Sequence, residues 1–61
     1  MIELLDKRVR IKASNGKIFE GVIIDYLSPE DNDGEESIIM ECDDDSLIEF
    51  YRQDISEIVE I

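Results

Sequence analysis

The segment Arg8-Val9-Arg10-Ile11-Lys12-Ala13 alternates strictly between basic and apolar residues, and Asn15-Gly16 follows almost at once. Period-two alternation puts Val9, Ile11 and Ala13 on one face and Arg8, Arg10 and Lys12 on the other, as in a strand with one buried side. Asn-Gly tolerates positive φ at both central positions of a tight turn, so the chain is expected to reverse here into a second strand. Lys17 to Tyr26, rich in β-branched and aromatic residues, supplies that strand. Gly21 in its middle predicts a sharp bend or a close backbone approach, and a small closed sheet needs both.

The rest of the chain continues in the same mode. Glu36 to Cys42 reads as a third strand, with Ile38, Met40 and Cys42 on one face and Ser37, Ile39 and Glu41 on the other. Asp43-Asp44-Asp45-Ser46 is a turn by composition. Leu47 to Tyr51 is a fourth strand with Ile48 and Phe50 inward. Arg52-Gln53-Asp54 has room only for a tight or 3₁₀ turn, and Ile55 to Ile61 closes as a fifth strand whose broken alternation predicts a bulge near Glu57. Met1 to Asp6 fits one helical turn pairing Ile2 with Leu5, or an extended lead-in. Loops that are almost all of hairpin length predict an all-β fold: one domain over residues 1–61, a five-stranded, strongly bent antiparallel meander closed into a barrel. An oligonucleotide-binding barrel would need a long return connection, and none is visible. A chain of 61 residues buries only about 60% of its unfolded surface. Its net stability is expected to be about 3–5 kcal/mol, with little room for a deep, dry pocket.

"DKRVRIKASNGKIFEGVIIDY" resembles the first motif of the Sm-like (LSm) proteins, a branch of the small SH3-like barrels: alternating Val9 and Ile11, Gly16, Phe19, the bend glycine Gly21, Ile23 and the aromatic Tyr26. "FYRQDISEI" resembles a loosened second motif, with Arg52 at the family's Arg and Ile55 and Ile58 at the apolar positions after it. The resemblance covers Leu5 to Ile61 and implies an SH3-like or Sm-like barrel. It also implies RNA binding through a base stacked near the loop between the second and third strands, held by an Asn and the second-motif Arg. Here Leu27, Ser37 and Gln53 stand where the family has Asp, Asn and Gly, so Arg52 alone of that set is carried over.

Charge divides the chain. Five of the six bases lie in the first seventeen residues, and beyond them fifteen acids face only Arg52, within a net charge of −11. Glu30 to Asp45 holds nine acids and no base. Phosphate contacts supply most nucleic-acid affinity, so this balance works against RNA and favours a basic protein partner. The acidic partner surface is expected at Glu30, Asp31, Asp33, Glu35, Glu36, Asp43, Asp44 and Asp45. The alternative, a divergent Sm-like RNA binder, would use Arg8, Arg10, Lys12, Tyr26 and Arg52.

Catalysis is not expected. Histidine, the commonest general base, is absent. Cys42 sits among Glu41, Asp43, Asp44 and Asp45, which disfavour a thiolate, and reads as a buried strand-end residue. Neither acidic stretch is a calcium loop: with Gly34 in the sixth position of an EF-hand, Pro29 and Met40 fall where ligands belong. No cofactor and no metal are therefore expected. Ser28-Pro29-Glu30-Asp31 instead has the form of a helix start, with Gly34 to end the turn, and Glu35, Glu36 and Glu41 flank the aggregation-prone "SIIM". One cysteine, no charged-then-apolar leader and no long apolar run predict a cytoplasmic, non-enzymatic interaction or regulatory module without membrane contact. The oligomeric state is left open.

Overall fold

In a computed structural model describing residues 1–61, five strands form one open antiparallel sheet. They are β1 (Arg8–Ala13), β2 (Ile18–Leu27), β3 (Ser37–Cys42), β4 (Leu47–Tyr51) and β5 (Ile55–Glu60), in the order β4-β3-β2-β1-β5. The only helical segments are 3₁₀ turns at Ile2–Leu4, Pro29–Asp31 and Arg52–Asp54. No helix is long and apolar enough to cross a membrane. β4 and β5 are the sheet's edges, and no ladder joins them.

A sheet without a helical layer must cover its own apolar face. Val9, Ile11, Ile23, Ile38, Met40 and Phe50 are nevertheless at most 4% exposed, so the sheet curls around them. Phe19 and Phe50 measure that curl. In register, Phe50 lies opposite Ile38 and Ile38 opposite Tyr26. A flat sheet would therefore hold Phe50 more than about 20 Å from Phe19, at about 3.3 Å per residue along β2. Their ring centroids are 5.3 Å apart, edge to face.

β2 makes the curl possible. Its first half, Ile18–Val22, pairs with β1, and its second half, Gly21–Leu27, pairs with β3. Where the halves meet, Gly21 lets Glu41 come so close that a Cβ would lie 2.2 Å from its carbonyl oxygen. Three residues on, the register slips and leaves Ile24 as an extra, 43% exposed residue. Such a bulge bends and twists its strand.

Several details depart from the sequence reading. The Asn15-Gly16 turn is a three-residue connection in which Gly16 alone takes positive φ (+89°). Gly16 N–H donates to the Ala13 carbonyl and Ala13 N–H to that of Lys17, while Asn15 Oδ1 accepts from Lys17 N–H at 3.0 Å. The N-terminal turn is 3₁₀ and packs Met1 and Leu4 on the core, leaving Ile2 60% and Leu5 37% exposed. Spacing of three admits either pair, and covering the core selects this one. Ser37, read as an outward residue, is fully buried because the β2–β3 loop folds back over it. Cys42 and Ile48 are half-buried rather than buried. The β5 irregularity lies at Ser56, beside Glu57, opposite the Lys12–Ala13 step.

Candidate functional site

The acids expected to form one partner surface occupy two loops at opposite ends of β3, about 20 Å apart for six residues of strand. In the β2–β3 loop, Pro29–Asp31 forms the expected short turn, although Ser28 Oγ bonds the Asp31 carboxylate (3.2 Å) instead of capping a backbone N–H. Gly34 (φ +86°) closes the turn by donating its N–H to the Pro29 carbonyl at 2.7 Å. Asn32 then donates to Ser37 Oγ (3.2 Å), and the Ser37 hydroxyl donates to Glu49 (2.8 Å). This fastens the loop to β4. Glu30, Asp31 and Asp33 remain exposed with no ion pair.

Glu36 behaves differently. Its carboxylate accepts the Tyr26 hydroxyl at 2.6 Å on one oxygen and Arg52 Nη1 at 3.1 Å on the other. The Tyr26 bond first, and Arg52 less strongly, hold the Glu36 carboxyl below its ordinary range, and the same bond raises the Tyr26 phenol. Gln53 reaches Glu35 at 3.4 Å. The 3₁₀ turn after β4 is thereby tied to the acidic loop.

At the other end, Asp45 takes positive φ (+70°) in a second three-residue connection. Asp45 N–H donates to the Cys42 carbonyl, Cys42 N–H to that of Ser46, and Asp44 Oδ1 accepts both Ser46 N–H (3.0 Å) and its hydroxyl (2.6 Å). Ser46 lowers the Asp44 carboxyl. Arg8 grips Asp43 with both terminal nitrogens, at 2.8 and 2.7 Å, which lowers the Asp43 carboxyl and raises the Arg8 guanidinium.

The residues considered for nucleic acid separate into two groups. Arg8, Arg10 and Lys12 share the outer face of β1, with Arg8 on Asp43 and Arg10 paired to Glu20. Lys12 lies between Ile18 and Glu57 in register and makes no ion pair. Tyr26 and Arg52 meet elsewhere, through Glu36.

Sequence reasoning missed Glu20, Glu36 as a hub, and Glu49. Their partners lie 10 to 16 residues away, and only the strand register brings them together. Two shallow hollows complete the surface. One, of about 230 Å³, is lined by Met1, Arg52 and Ile55 to Ile58. The other, of about 300 Å³, lies between the start of β2 and the β3–β4 connection. No three His, Cys, Asp or Glu side chains are grouped to hold a metal ion. Comparison with protein-family models, curated proteins and solved structures finds no match to this chain.

Proposed function

We propose that this chain is a non-enzymatic Sm-like, SH3-like small barrel that binds a basic protein partner through its acidic loops. The pairing of charges carries the reading. Arg8, Arg10 and Arg52 are each occupied by an acid of the same chain, while Glu30, Asp31, Asp33 and Asp45 have no cation. What the surface offers a partner is therefore mainly negative charge, which steers a basic protein towards it and repels phosphate. The curl, the bend glycine and the return of β5 to β1 support the barrel type.

A divergent RNA site is the second reading, favoured by the meeting of Tyr26 and Arg52. Glu36 stands between them, however, and a phosphate would face its carboxylate. Fluorescence anisotropy with labelled octa-arginine and a labelled uridine-rich oligomer separates the two. The expected result is binding of the peptide alone at low salt, lost in 1 M salt, where charges are screened beyond about 3 Å. Binding of the oligomer but not the peptide overturns the proposal.

A further inference from the structure

The hollow beside the β3–β4 connection has an apolar floor and an acidic rim. Phe19, Cys42 and Ile48, all half-buried, form the floor, and Ile18, 54% exposed, forms a lip. Glu20, Asp43 and Asp44 stand around it. At about 300 Å³ it lies at the bottom of the range for small-molecule sites, with room for one long side chain rather than a cofactor.

An apolar floor with an anionic rim complements an alkyl stem carrying a cationic head. Arginine fits better than lysine, because its flat guanidinium is more weakly hydrated than an ammonium and presents several donors, which suits single free oxygens such as Asp44 Oδ2. We infer that this hollow seats one arginine side chain of the basic partner. The inference rests on the function proposed above and gives its contact a place. The rim already holds such groups: Arg8 and Arg10 lie on Asp43 and Glu20 from the outer face of the sheet. Asp44 has capacity left, since both Ser46 bonds fall on Oδ1 and Oδ2 has no partner. The other hollow is a poorer seat for a cation, because Arg52 lines it and brings a guanidinium there against a single acid, Glu57.

The test is a ¹H–¹⁵N NMR titration with N-acetyl-arginine amide, its neutral citrulline analogue, and octa-arginine. With the arginine amide, shifts are expected at residues 18–20 and 42–48, and none with citrulline. Asp44→Asn, which keeps the Oδ1 acceptor, should weaken octa-arginine binding about three-fold, the scale of one exposed ion pair. Ile18→Arg, a change at an exposed lip, should weaken it at least as much. Arg8→Gln, which frees Asp43, should tighten it. Octa-arginine binding that shifts the 30–36 loop instead and ignores all three variants overturns the seat while leaving the proposed function standing. No binding by octa-arginine overturns both.

Discussion

The β1–β2 and β3–β4 connections are one backbone device with two chemistries. In each, the third loop residue has positive φ, the second is an Asx whose side-chain oxygen accepts the N–H two residues on, and the same two backbone bonds close the turn. The first uses Asn15-Gly16 beside a basic strand; the second uses Asp44-Asp45 inside an acidic run. Glycine takes the left-handed conformation without penalty, whereas Asp accepts it at some cost. The second connection thus gives up local stability and gains charge.

The largest expected effect tests whether the two connections belong to one cooperative body. Gly21, in the strand after the first, pairs with Cys42, where the second begins. A Cβ there meets the Glu41 backbone, which cannot yield as a side-chain tip would. Gly21→Val should cost about 3 kcal/mol or more, most of what a chain this small has. Circular dichroism should show both halves lost together. A variant melting like the parent would break the comparison.

Exchange at the positive-φ position comes next. Gly16→Ala meets no atom within 4 Å, so its cost is conformational, about 1 kcal/mol. That corresponds to a fall in Tm of about 4–8 °C. Asp45→Gly should raise Tm by a smaller amount. If both substitutions lower Tm equally, the two turns are not equivalent.

The smallest effect is the response to acid. Asp43 and Asp44 are held below the ordinary carboxylate range by Arg8 and Ser46 respectively. Their stabilisation is therefore present above the unfolded value of about 3.9 and lost as pH falls through the lower folded values. The Tm difference between the parent and Asp43→Asn should be present at neutral pH and shrink below about pH 4. The difference for Asn15→Ala should not change with pH, because Asn15 does not titrate. Using differences removes the general relief of repulsion as a net charge of −11 is neutralised.

The strands were legible because alternation in Arg8–Ala13 and the apolar positions of β3 and β4 are local signals, and Gly21 marked the close approach the structure contains. The burial of Ser37 was not legible, because it depends on a loop returning from five residues before it. The Ile24 bulge leaves no compositional trace. Asn15-Gly16 announced a turn but not its length, which is set by how Ala13 and Lys17 pair. At the candidate site the acids were visible one by one. Their division between two ends of β3 was contained in the strand reading, whereas the capture of Asp43 by Arg8 and of Glu36 by Tyr26 and Arg52 follows only from register.

The contact between Phe19 and Phe50 joins residues thirty-one apart along the chain and stands at the centre of the curl. Loop closure of that length must be met before the concave face gives any return, so the first hairpin has little to hold it until β4 arrives. Acquisition of structure should be late, all-or-none and slow for so short a polypeptide, in the millisecond-to-second range of non-local β topologies. A nascent chain that stops short of Phe50 would leave Ile11, Ile23 and Met40 open to water.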